Sequence, residues 1–206
     1  MRIPTSVPRR LAPAVAALLL GACADAPLAP LDAPAPPDAP SRNLLNLSLS
    51  DTSRVSFSYG PNTSVTVRVG AHKIVLPSNA VCEPTTSGYG PGTWDLPCAP
   101  LSRTLTFRVK AWTDRTGHPQ IRFSPDVRFV PARTVTLYLY DREAANDPAF
   151  RFAWCPTGAA NCVDESTTDA SLIPQRDPAN GFLFGRIKHF SGYTVVVDRS
   201  GFDGGY

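Results

Sequence analysis

Alternation with a period of two is the feature that most restricts this chain. Val65, Val67 and Val69 alternate with Thr66 and Arg68. Leu105, Phe107, Val109 and Ala111 alternate with Thr106, Arg108 and Lys110. Val135, Leu137 and Leu139 alternate with Thr136, Tyr138 and Tyr140. Shorter sets obey the same rule: Ile74 and Leu76, Ile121 and Phe123, Val127 and Phe129, Phe150 with Phe152 and Trp154, Phe182 and Phe184 leading to Ile187, and Tyr193 with Val195 and Val197. Successive side chains of a strand point to opposite faces, so these runs are strands with one face buried and the other wet. Pro, Gly and Asn punctuate them. The pattern predicts an all-β fold, an antiparallel β-sandwich of about eight short strands over residues 43–206. Pro77, Pro125 and Pro131 are expected at strand ends or bulges, and Ser124-Pro125 reads as a break between two strands. Only residues 141–147 have the character of a helical turn. Lys and Glu, staples of surface helices, number three each among 20 basic and 17 acidic residues, which argues against a helical bundle or coiled coil. A hydrophobic share of 43 % is enough to build a core.

The first residues carry an address. Arg2, Arg9 and Arg10 precede an apolar run from Leu11 to Leu20, interrupted only by Pro13. A bilayer span needs about 20 apolar residues, so the run has the length of a signal-peptide core instead. It ends Leu20-Gly21-Ala22-Cys23, which resembles the lipobox of bacterial lipoproteins. The resemblance implies cleavage after residue 22 and acylation of Cys23, an anchor of several acyl chains where one alone holds only marginally. Removal of residues 1–22 takes away three arginines and no acid, so the formal charge falls from +3 to zero. A nucleic-acid partner, which calls for a basic surface, is therefore not expected. Residues 23–42 form a Pro/Ala-rich linker, extended like polyproline and suited to a stalk. Ala24 rather than Asp follows the acylated cysteine, which by the sorting rule of some double-membraned bacteria permits transfer to the outer membrane. The expected location is the bacterial cell envelope, with the membrane as partner through Cys23.

Cys82, Cys98, Cys155 and Cys162 remain, an even number in a compartment where disulfides persist. Three pairings are open. Cys82–Cys98 and Cys155–Cys162 are favoured because each pair brackets a turn-rich segment. No Cys-x-x-Cys is present, and His72, His118 and His189 are far apart in sequence, so neither a metal nor another cofactor is expected.

Two motifs suggest a family. Gly70-Ala71-His72-Lys73-Ile74-Val75-Leu76-Pro77-Ser78-Asn79-Ala80-Val81 and Lys188-His189-Phe190-Ser191-Gly192-Tyr193 resemble the opening and the final strand entry of the β-sandwich domain shared by zonula occludens proteins, netrin receptors and ankyrins. The resemblance covers roughly residues 60–198. The cysteine-flanked stretch from Ser87 to Asp95 departs from that pattern and is similar instead to uncharacterised bacterial envelope proteins. In some relatives, and in an unrelated nucleoporin domain, His-Phe-Ser is a self-cleavage site. The resemblance implies Ser191 as nucleophile, His189 as its activator and Phe190–Ser191 as the scissile bond. The structural alternative makes Phe190 a core residue, with His189 exposed and Ser191 in a turn.

Other chemistry is not signalled. There is no Gly-x-Ser-x-Gly elbow and no His-Glu-x-x-His. Gly88-x-Gly90-x-Gly92 lacks the strand–helix context of a phosphate loop. Trp112, Tyr138 and Tyr140 fall opposite the expected core, near Arg108 and Lys110, and Trp94 lies in the first cysteine-closed loop. These four are binding candidates, since an aromatic ring offers an apolar face and a polar edge to a sugar or a protein. Arg68, Arg108, Arg122, Arg128 and Arg151 are candidates for a stripe facing acidic glycans. The leading expectation is a non-catalytic interaction module displayed on the envelope, with a protein or glycan partner. Self-processing at Phe190–Ser191 and recognition of cell-wall or extracellular glycans are the alternatives.

Overall fold

A computed structural model describes residues 52–157 and 161–197. The expected signal peptide, Cys23 and the expected stalk lie outside the described residues. The strands are β1 (Ser53–Tyr59), β2 (Val65–Val69), β3 (His72–Leu76), β4 (Leu105–Thr113), β5 (Pro119–Arg128), β6 (Val135–Tyr140), β7 (Phe150–Trp154), β8 (Gln175–Asp177), β9 (Phe182–Ile187) and β10 (His189–Val197). They form two five-stranded antiparallel sheets, ordered β1-β4-β5-β10-β7 and β2-β3-β6-β9-β8. One core cluster draws on both sheets: Phe107, Phe123, Phe190 and Tyr193 from the first, Ile74, Leu137, Leu139 and Leu183 from the second. The fold is the expected β-sandwich. Among the described residues one short α-helix, α1 (Arg142–Asn146), is capped by Asp141, whose carboxylate accepts from the Ala144 amide.

Four elements differ from the pattern read in the sequence; in β9 the buried face carries Leu183 and Ile187, so Phe182 and Phe184 lie on the other, half-buried face. β1 alternates Val55, Phe57 and Tyr59 with Arg54, Ser56 and Ser58, but it is an edge strand whose polar half outweighs its core half. β8 has three residues, none apolar, and exists only because β9 offers it a free edge. The two runs flanking Ser124-Pro125 are one strand, β5, with a cis peptide at that proline. The proline occupies an exposed irregular stretch, where its missing N–H costs no ladder bond. Its irregularity has a counterpart on β10. Phe190 pairs with Val127 and Gly192 with Arg122, so the register shifts across Ser191.

The cysteines pair as Cys82–Cys98 and Cys155–Cys162. The first closes a loop whose base is fastened to the sheets: Cys82 N–H donates to the Arg128 carbonyl, and Glu83 accepts from the Ser102 amide and hydroxyl. Buried Arg128 donates from its guanidinium to the Leu96 and Pro97 carbonyls at the far end of the loop. This loop and the segment 164–172 lie over the start of β10, which explains why β10 is buried from His189 to Val195 without the alternation of the other strands.

Candidate functional site

The first half of β10 brings His189 and Ser191 together with a carboxylate and several hydrogen-bond donors. β10 sits between β5 and β7, so its backbone is held from both sides. Gly192 is fixed by space: its carbonyl accepts from Cys155 N–H, and a Cβ there would meet the Cys155 carbonyl at 2.7 Å. His189 and Ser191 are both buried, at 0 % and 1 % exposure, which corrects the alternative that placed His189 at the surface and Ser191 in a turn. The correction has a physical cause: the disulfide loop roofs the strand. Phe190 is a core residue, stacked on Phe123 at 4.2 Å.

His189 is clamped by rings and by charge. Trp94, from the disulfide loop, stacks on it at 4.1 Å, and Tyr193 lies against it at 5.4 Å. Its Nε2 is 3.1 Å from both oxygens of Glu165, a residue of the covering segment. The carboxylate accepts only, so Nε2 carries a proton, and the neutral imidazole then has its lone pair on Nδ1. Nδ1 lies 3.5 Å from Ser191 Oγ. The Tyr193 hydroxyl, 3.2 Å from Nδ1, donates to the His189 carbonyl at 3.0 Å. Burial raises the Tyr193 phenol well above its ordinary value, so it stays a neutral donor.

Two more donors face the peptide that joins Phe190 to Ser191. Trp154 Nε1 donates to Ser191 Oγ at 2.7 Å. It occupies one acceptor position on the hydroxyl and leaves the O–H free to turn toward His189. The Tyr89 hydroxyl donates to the Phe190 carbonyl oxygen at 2.9 Å. Burial pushes the Tyr89 phenol up to about 12, which keeps that proton in place across the physiological range. A hydroxyl, an imidazole, a carboxylate and a phenolic donor therefore converge on one peptide bond, from three separate stretches of chain.

A cleft of about 480 Å³ opens beside this cluster, lined by Trp94, Asp95, Trp154, Glu165, Asp169 and Lys188 among others. Lys188, 7 % exposed, spans its two walls with Nζ 2.7 Å from Asp95 of the loop and 2.6 Å from Asp169 of the covering segment. The hydrogen bond from Lys188 holds the Asp169 carboxyl down at about 2. A carboxylate depressed on folding contributes stability that is complete above its unfolded value and lost as pH falls through the folded one. Asp169→Asn is therefore expected to be less stable than the parent at neutral pH. The difference in melting temperature should close as pH falls from near 3.8 to about 2. A gap that persists unchanged to the acid end would contradict the pairing.

The remaining candidates are dispersed. Trp94 is buried, 5 % exposed, so it is a wall of the site rather than a surface contact. Trp112 is on β4 of the first sheet, whereas Tyr138 and Tyr140 are on β6 of the second, so the three share no face. Phe184 stacks on Tyr138 at 5.0 Å and Lys73 Nζ lies 3.8 Å from its ring centre. The five arginines do not form one stripe either. Arg108 and Arg122 share the first sheet, Arg68 is on β2 of the second, and Arg128 is buried under the loop. The contacts of Glu165, Tyr89 and Trp154 with residues 189–191 were not legible in the sequence, because no motif links them; Tyr193 stood in the Lys188–Tyr193 motif, but with no role attached to it. Among the described residues no three His, Cys, Asp or Glu side chains are grouped so as to hold a metal ion. Compared with family models, curated proteins and solved structures, the chain has no match.

Proposed function

We propose that the chain is an envelope-anchored β-sandwich that cuts its own backbone at Phe190–Ser191. The observation that carries this is the line from Glu165 through His189 to Ser191, set beside a Phe190 carbonyl that already accepts a hydrogen bond from Tyr89. His189 Nδ1 takes the Ser191 hydroxyl proton as Oγ attacks the Phe190 carbonyl carbon. Negative charge grows on the Phe190 oxygen, where the Tyr89 hydroxyl is in place to stabilise it. The C–N bond breaks, His189 returns the proton to the Ser191 nitrogen, and the amide has become an ester. Water adds to the ester, giving a Phe190 carboxyl and restoring the Ser191 hydroxyl with a new amino terminus. The cleft lined by Glu165 and Trp154, the partners of His189 and Ser191, brings solvent to within one side chain of that ester. Glu165 holds the imidazole in the tautomer that accepts at Nδ1, the role of the third member of a catalytic triad.

The likeness of Lys188–Tyr193 to the self-cleaving relatives supports the same assignment. The lipobox ending at Cys23 supports an envelope location, with the sandwich held away from the membrane by the Pro/Ala stalk. The fragment beginning at Ser191 would stay in place after cleavage, because β10 is paired on both sides. Intact mass and a denaturing gel of the purified chain test the proposal. The expected result is a break before Ser191, releasing a sixteen-residue piece only on denaturation. Ser191→Ala should abolish the break, and hydroxylamine should accelerate it by trapping the ester at Phe190. A parent chain that stays whole and indifferent to hydroxylamine would end the idea.

A further inference from the structure

The outer face of the β1–β4–β5 part of the first sheet carries a row of cations that the fold compensates only at its β5 end. Arg54 stands directly opposite Lys110, and Lys110 directly opposite Arg122. Arg108 occupies the next outward position on β4, between Ser56 and Ser124. Like charges set directly across a ladder oppose pairing, so two such pairs in one row cost the sheet stability. Arg122 is partly compensated, with Asp126 at 3.7 Å and the Pro156 carbonyl accepting at 2.8 Å. Arg54, Arg108 and Lys110 have no acidic partner among the described residues. Together with Ser56 and Ser124 they line a shallow depression of about 270 Å³.

The geometry points to this depression as a binding site for a linear acidic polysaccharide. Neighbouring strands are about 4.8 Å apart, so the row of three cations spans about 10 Å in a straight line. That arrangement suits anions carried at regular intervals along a chain better than a single compact ion. Trp112 continues the same face of β4 two residues beyond Lys110, whose Nζ lies 4.7 Å from its ring centre. The half-buried ring, on the central strand beside the middle of the row, offers a sugar an apolar edge, and the two serines offer hydroxyls. A membrane surface fits less well. Docking on lipid uses apolar residues beside the basic ones, and the large exposed apolar side chains, Tyr89, Leu96, Val163, Ile173 and Val197, are none of them in the depression.

The test uses the full chain carrying Cys23→Ser, so that acylation does not take it to lipid. Polygalacturonate, with one carboxylate per sugar, should retard it in affinity electrophoresis, and added salt should weaken the retardation. Neutral dextran should have no effect. Arg54→Gln, Arg108→Gln and Lys110→Gln combined should weaken binding by about tenfold or more, since hydrogen bonds from charged donors are lost. The same triple variant should melt at or above the parent temperature, because it removes like-charge pairs rather than core contacts. Arg68→Gln, on the other sheet, should leave binding unchanged. No retardation by polygalacturonate, equal retardation by dextran, undiminished binding by the triple variant, or binding confined to vesicles of anionic phospholipid would each overturn the assignment.

Discussion

Phe190→Ala is expected to lower the unfolding free energy by about 3–5 kcal/mol, the range for truncating a buried aromatic ring. Phe190 has no exposed surface and sits where the core is densest in rings. It stacks on Phe123 at 4.2 Å and meets Phe107 and Phe129 edge-on at 5.2 and 4.8 Å. Collapse around an alanine is opposed because Phe107 and Phe123 are held in the ladders of β4 and β5, and Phe129, the residue that follows β5, is bridged to Val81. Urea unfolding of the two proteins measures the difference. Phe190→Leu should cost clearly less, since it keeps most of the volume. It should also leave the proposed self-cleavage intact, because the proposed chemistry uses the carbonyl and not the ring. A loss below about 1 kcal/mol for the alanine variant would mean that the ring is not the keystone described here.

Removing the Cys82–Cys98 bridge, by Cys82→Ala with Cys98→Ala, should both destabilise the domain and disable the site. The bridge spans 16 residues, for which the loop-entropy argument gives about 3 kcal/mol. Opening Cys155–Cys162, which spans 7, should cost less. The functional effect follows from what the longer loop carries: Tyr89 donates to the Phe190 carbonyl, and Trp94 is stacked on His189. Tyr89→Phe separates the two consequences. It keeps the ring packing and the bridge but removes one donor to the oxyanion, so cleavage should slow by roughly a hundredfold or more while the melting temperature changes little. A Tyr89→Phe chain that cleaves at the parent rate would remove Tyr89 from the mechanism even if the loop still proved structural.

How much of this was legible in the sequence depended on whether a signal was local. Period-two alternation marks a strand wherever one face is buried and the other wet, and it located β4 and β6. It was silent for β8, which has no apolar residue, and it split β5 at a proline that the strand accommodates. It was uninformative for the start of β10, where the disulfide loop buries the face that would otherwise be polar. The cysteine spacing led to the right bridges because each joins residues close in sequence. The opposite held for the candidate site. His189 and Ser191 were visible as a motif, whereas Glu165, Tyr89 and Trp154 come from segments 24 to 101 residues distant from the groups they touch.

The aromatic candidates illustrate the same boundary. Alternation placed Trp112, Tyr138 and Tyr140 outside the core, but it carries no information about which sheet a strand joins. β4 and β6 belong to different sheets, so the shared aromatic face does not exist. What pairing assembled in its place is the row of Arg54, Lys110 and Arg122, from three strands whose sequences give no hint of alignment.

By itself the amino-acid sequence determined the all-β class and the strand positions that alternate. It also determined the cysteine bracketing and the suspicion attached to His-Phe-Ser, because each is a property of neighbours along the chain. Only the tertiary structure decided that His189 is buried, that Glu165 and Tyr89 reach it and its neighbour's carbonyl, and that three cations align across one sheet. Strand order and loop docking are settled by burial and backbone hydrogen bonds between distant segments, and no local pattern encodes which segments meet.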